Sequence, residues 1–186
     1  MSDAPISIII PVLNEEKNLD KLLPIIKKRQ SGYVKEVIVS DAGSSDSSVE
    51  IARAKGSKVI MCTHKNRGFQ MNSGAASAKG EILYFLHADT IPPYEFDKKI
   101  VSEIKKGAIA GCFRLEFDGK PESKLLEIYG WFTRFRTTLF RFGDQSLFVR
   151  SDHFWDINGF DITLIVMEDQ NIVRKLKKQG PFHLLD

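Results

Sequence analysis

Continuous apolar runs alternate with amphipathic stretches through the first ninety residues. Ser7-Ile8-Ile9-Ile10 is a short β-branched run stopped by Pro11, which reads as a strand. Asn14 then opens a helical pattern whose apolar stripe is Leu19, Leu22, Leu23 and Ile26. Pro24 lies inside that pattern and is expected to kink or shorten the helix. The order then repeats. Glu36 to Ser40 reads as a strand and Asp41 to Ser45 as a turn, and Ser47-Ser48-Val49-Glu50 has the form of a capping box opening a helix that Gly56 ends. Lys58 to Cys62 is a third strand. It leads into Asn66 to Ala76, rich in Gly and Ala, which suits a helix packed closely on a sheet. The fourth strand, Ile82 to Leu86, is apolar throughout, as a strand buried on both faces would be. It runs straight into His87-Ala88-Asp89-Thr90, with Pro92-Pro93 beyond.

The second half is less regular. Tyr94 to Lys106 reads as a helix, and Ala108 to Phe117 as a strand that passes from continuous to alternating apolar, leaving the core for an exposed face. Leu125 to Phe142 carries Tyr129, Trp131, Phe132, Phe135, Phe140 and Phe142 among Arg134, Arg136 and Arg141. Two readings fit that run: a helix burying one aromatic face, and an acceptor or membrane-surface site. Asp144 to Val149 returns to a strand, and Asp152 to Ile157 is a short helix broken by Asn158-Gly159. From Met167 to Leu176, Ile172, Val173 and Leu176 form a buried stripe, with Arg174 to Lys178 in the later turns and Gly180-Pro181 as a stop.

Four strand and helix alternations with short connections predict an α/β protein, a parallel sheet covered by helices on both faces. No GxGxxG follows the first strand, so hydride-transfer dinucleotide binding has no support. The 186 residues, 42% of them hydrophobic, suit one domain with a closed core. No run approaches the roughly 18 to 20 apolar residues of a membrane span, and Met1 to Pro5 has no signal-peptide pattern. The expectation is a cytoplasmic protein. Cys62 and Cys112 sit in apolar runs and are expected to be small buried hydrophobes. A net charge of +3, with Lys and Arg interspersed among acids, gives no basis for a nucleic-acid partner.

The chemistry-bearing positions gather at predicted strand ends. In open α/β sheets ligands bind outside the carboxyl ends of the strands, so Asp89 stands where a polar substrate or a metal is expected, although an Asp before Pro92-Pro93 also suits a turn cap. Glu168 and Asp169 fall at a helix N-terminus, where acids are common caps.

Four stretches together resemble a family 2 glycosyltransferase of the GT-A fold: IIIPVLNE (Ile8 to Glu15), VIVSDAGSSD (Val37 to Asp46), ILYFLHADT (Ile82 to Thr90) and MEDQNIVRKL (Met167 to Leu176). The NRGFQMNSGAA segment and Gly143-Asp144-Gln145 are similar to a bacterial subgroup of small, single-domain members. The resemblance covers nearly the whole chain in the same order. It implies a Rossmann-like, mostly parallel sheet in one domain, with residues 1–92 binding the nucleotide sugar and 93–186 the acceptor. Relatives usually continue past the strand-like Leu184-Leu185-Asp186, so a C-terminal truncation is expected.

The same resemblance implies an inverting transferase that takes a sugar from a nucleotide-diphosphate sugar, with Mg2+ or Mn2+. Asn14, Glu15 and Asp41 would line the nucleotide pocket, with Asp41 accepting from the base, and Arg67 would reach the base or diphosphate. The family's Asp-x-Asp motif stands here as His87-Ala88-Asp89, a departure at its first position. Asp89 would remain the metal ligand, while His87 would meet a ribose hydroxyl or supply a nitrogen ligand that favours Mn2+. Asp169 would be the general base that deprotonates the acceptor hydroxyl. Glu168 and burial would raise its pKa and the helix N-terminus would oppose them. Trp131, Asp144, Gln145 and Glu168 would contact the acceptor, a saccharide or a lipid-linked one. The Tyr129 to Phe142 run leaves room for peripheral contact with the inner face of the membrane. The alternative is an inactive nucleotide-sugar-binding relative, suggested by His87.

Overall fold

The computed structural model describes residues 5–114, 146–164 and 167–186. Seven strands among them form one sheet in the order β3-β2-β1-β4-β6-β5-β7. They are β1 (Ile6–Val12), β2 (Val34–Asp41), β3 (Lys58–Met61), β4 (Ile82–Phe85), β5 (Ala110–Phe113), β6 (Leu147–Arg150) and β7 (Phe182–Leu185). The helices are α1 (Glu16–Arg29), α2 (Ser48–Ala54), α3 (Arg67–Ala76), α4 (Phe96–Lys105), α5 (Ser151–Asp156) and α6 (Glu168–Gln179). Pairing is parallel from β3 through β2 and β1 to β4, and β6 enters antiparallel between β4 and β5.

The alternation of strand side chains builds two cores. Ile6, Ile8 and Ile10 of β1 pack with Leu19, Leu22 and Ile26 of α1, Ala52 of α2 and Phe96 and Ile100 of α4. Ile9, Leu83 and Phe85 face the other way, onto Met71 and Ala75 of α3, Phe154 of α5 and Ile172 and Leu176 of α6. Helices therefore cover both faces, as the patterning predicts. The small residues of α3 have the expected use: a Cβ on Gly74 would come 2.5 Å from Ile9 Cγ2 and 2.6 Å from Ser40 Oγ, so only glycine permits this approach.

Several local expectations change. Pro24 does not shorten α1, which runs to Arg29 with Pro24 exposed. The bond it removes is to the carbonyl of Asp20, an exposed residue, and the buried stripe of Leu19, Leu22, Leu23 and Ile26 holds the helix in place. Ser47 precedes α2 but makes no side-chain cap bond. β5 ends at Phe113, and Leu115 to Phe117 lie outside the described residues. Cys112 is buried, but Cys62, just past β3, is half-buried. One buried acid is unanticipated. Asp97 of α4 is fully buried and accepts from the backbone N–H groups of Ser31 (2.7 Å) and Tyr33 (2.9 Å), fixing the loop into β2.

Candidate active site at the carboxyl edge of the sheet

The chain order β1, β2, β3 runs outward on one side of β1, and β4 then pairs on its other side, so the topological switch point lies between β1 and β4. Ligands of such sheets bind at that point. The turns after β1 and β2 lock together there. Asn14 adopts a left-handed backbone (φ 57°), which asparagine tolerates better than most residues. Its Oδ1 accepts from Ser45 N (2.8 Å), and its N–H donates to Ser44 Oγ (2.9 Å). Glu15 N donates to Ser48 Oγ (2.8 Å) and Glu16 N to Asp46 Oδ2 (3.1 Å). The first N–H groups of α1, which a helix cannot satisfy itself, are thus capped from the neighbouring turn. Bonds from Ser48, its hydroxyl foremost, together with the Glu16 N–H, hold the Asp46 carboxyl below the usual carboxylate range.

Asp41, at the end of β2, is fully buried. It accepts from Gly43 N (2.8 Å) and Ser44 N (2.9 Å) and from the Ser44 hydroxyl. Its carboxylate therefore braces its own turn, and Ser44 links it to Asn14. Gln70, a residue that sequence reasoning passed over, ties the strands behind these turns. Its buried Nε2 donates to Val12 O and Ser40 O, both at 2.8 Å. The visible signal is a polar amide set between the apolar Phe69 and Met71 one turn into α3.

The second group gathers around the end of β4. Arg67 opens α3, whose N-cap is Asn66, accepting from Phe69 N (2.8 Å). Arg67 Nη1 lies 3.4 Å from Glu168 Oε1, the Arg side chain 49% exposed and the Glu side chain 6%. Burial and the Arg67 charge push the half-buried His87 imidazole down to about 4, against the pull of Asp89, so His87 is neutral at pH 7. Asp89 is exposed and accepts from Thr90 Oγ1 at 3.3 Å. Asp169 is half-buried in the first turn of α6, next to Glu168. Met167 before it is left-handed (φ 67°). Asn72 of α3 exchanges two 2.9 Å bonds with the backbone of Phe160, and Asn66 Nδ2 donates to Ile162 O (3.3 Å). These amides, also missed from sequence, bind α3 to the segment that precedes α6.

Asn14, Glu15 and Asp41 are thus brought together, as are Arg67, His87, Asp89 and Glu168. Trp131, Asp144 and Gln145 lie outside the described residues. A groove of about 600 Å3 among Leu23, Ile26, Val34 and Val37 opens at the opposite edge of the sheet, away from every one of these groups. Among the described residues, no three His, Cys, Asp or Glu side chains form a closed metal cage. No helix among them is long and apolar enough to cross a membrane.

The sequence profile of glycosyl transferase family 2 matches residues 7–158, and the chain belongs to that family. It is 43% identical, over 91 residues, to the 4,4'-diaponeurosporenoate glycosyltransferase of Staphylococcus haemolyticus, which is 45% of this chain and 24% of that protein. TarS of S. aureus, crystallised in complex with UDP-GlcNAc, matches with a TM-score of 0.77 at 21% identity, over 97% of this chain and 55% of that one. Glucosyl-3-phosphoglycerate synthase of Mycobacterium tuberculosis, in complex with Mn2+, UDP and glucosyl-3-phosphoglycerate, matches at 0.70 and 18% identity, over 98% and 69%. The fold is GT-A. This chain spans about a quarter of the first relative's length and about half of the second's.

Proposed function

We propose that this chain carries the donor site and the reacting groups of a metal-dependent, inverting glycosyltransferase. Its donor is a nucleotide-diphosphate sugar, and its acceptor is a saccharide or a lipid-linked hydroxyl compound. The observation that carries this reading is the convergence of Asn14, Asp41, Arg67, Asp89 and Glu168 from five elements on the switch-point edge, in a chain of this family. Asn14, Glu15 and Asp41 form the wall toward the nucleoside, and Arg67 offers a permanently charged, planar guanidinium to the diphosphate.

An ion such as Mg2+ or Mn2+ uses one or two carboxylates and keeps its other positions for water and phosphate oxygens. Asp89, an exposed hard-oxygen ligand at the end of β4, fits that need, and neutral His87 has a nitrogen lone pair beside it. When bound, the metal stabilises the charge that develops on the leaving diphosphate. Asp169 accepts the proton of the attacking acceptor hydroxyl on the opposite face of the sugar. Its place in the first turn of α6 fixes it on a rigid element.

A thermal-shift series with UDP, GDP, dTDP and CDP, each with Mn2+, Mg2+ or EDTA, tests the donor site. Ligand at a hundred times its Kd adds about 2.7 kcal/mol to the folded state. One diphosphate is expected to raise Tm only with metal, and Asp89→Ala to abolish the rise. No shift with any of the four would overturn the transferase reading.

A further inference from the structure

Glu168 and Arg67 are unequal partners. The carboxylate is buried, and a buried anion needs a compensating charge or hydrogen bonds. The N-terminal peptide dipoles of α6 supply part of that compensation, and the guanidinium 3.4 Å away supplies a full positive charge. That guanidinium is half in solvent, at the mouth of the candidate donor site, on a helix anchored by Asn66, Gln70 and Asn72. It is therefore free to turn while its backbone stays in place. A diphosphate carries more charge than one carboxylate and accepts the two-pronged geometry of arginine.

We propose that Arg67 exchanges Glu168 for the donor diphosphate, so that donor binding uncovers Glu168 for the acceptor. This deepens the donor-site reading above and rests on it. In the free protein the pair keeps Glu168 satisfied and holds Arg67 partly away from the nucleotide. With the donor in place, Glu168 is left buried beside Asp169 without its cation. A hydroxyl of the acceptor, donating to that carboxylate, restores its partner. The acceptor is thereby drawn to the carboxylate pair only when a sugar is ready to transfer.

A double-mutant cycle read by isothermal titration with the four nucleoside diphosphates and Mn2+ tests the exchange without knowledge of the acceptor. Glu168→Gln, which keeps the side-chain shape, removes the competitor, and the diphosphate is expected to bind about three- to fivefold tighter, the scale of a half-exposed ion pair. In an Arg67→Gln background the same change is expected to have no effect. Arg67→Lys keeps a charge without the two-pronged geometry, so Glu168→Gln is expected to tighten binding there too. If Glu168→Gln leaves affinity unchanged or weakens it, or tightens it equally without Arg67, the exchange is overturned while the donor site stands. If the wild-type chain binds none of the four, the donor site itself falls and the exchange falls with it.

Discussion

The turns after β1 and β2 hold their polar side chains against one another, whereas Arg67, at the start of α3 near the end of β4, meets the start of α6 through an ion pair with Glu168. In the first region Asn14, Asp41, Ser44, Asp46 and Ser48 each have two or more bonds at hydrogen-bonding distance, and Gln70 clamps the strands behind them. In the second, Arg67 and Glu168 are 3.4 Å apart and His87 is kept neutral by burial and charge. A network whose members are all satisfied is rigid, because moving one group leaves several others unpaired. A pair made from one exposed and one buried charge can change partners. Under the proposed donor site, this difference corresponds to a prebuilt wall toward the nucleoside and a charged wall that changes partners on binding.

The largest expected effect is in the second region. Asp169→Asn should lower donor turnover by on the order of 10² to 10⁴ while leaving nucleoside diphosphate affinity unchanged, as measured by diphosphate release and by titration. Parallel loss of both would reduce Asp169 to a helix cap. In the first region the effect should fall on stability. Gln70→Leu removes the side-chain donor to Ser40 O and one of the two donors to Val12 O, which keeps the Ala42 N–H at 3.0 Å, and urea unfolding should show a loss of about 1–3 kcal/mol. A smaller loss, about 1 kcal/mol, is expected for Ser48→Ala, which uncaps the Glu15 N–H. A wild-type midpoint in either variant would mean that the first region is no more braced than the second.

The smallest effect is a matter of pH. His87 has a folded pKa of about 4, below the ordinary value of 6.5. The unfolded chain therefore takes up its proton first as pH falls. Stability of the metal-free protein should decline from about pH 6.5 down to about 4, and His87→Asn should flatten that part of the profile. An unchanged slope in the variant would assign the decline to other groups.

Much of the first half is legible in the sequence. β-Branched runs broken by Pro and Gly locate β1 to β4, and the polar residue after each run locates Asn14, Asp41 and Asp89. Those signals are local, set by side-chain shape and by the need to bury a continuous apolar run. In the second half the expected helices appear as α4, α5 and α6, while β5 begins only at Ala110, because the Ala108 N–H still bonds back to Glu103 O of α4 (3.1 Å). The expected capping box at Ser47 does not form. Ser47 makes no side-chain cap bond, and the neighbouring Ser48 hydroxyl instead reaches across to cap Glu15 N at the start of α1.

The α/β class, the first four strands and their helices, the stripes that face the sheet, and the placing of acids at strand ends and at the start of α6 all follow from the order of residues along the chain. It took the folded chain to place β6 antiparallel between β4 and β5, to join two strand ends through Gln70, and to bring Arg67 to Glu168. Propensity and periodicity act over a few residues along the chain. A partner across the sheet is chosen by which faces pack and which buried polar groups remain to be satisfied, and that choice exists only once the chain has closed on itself.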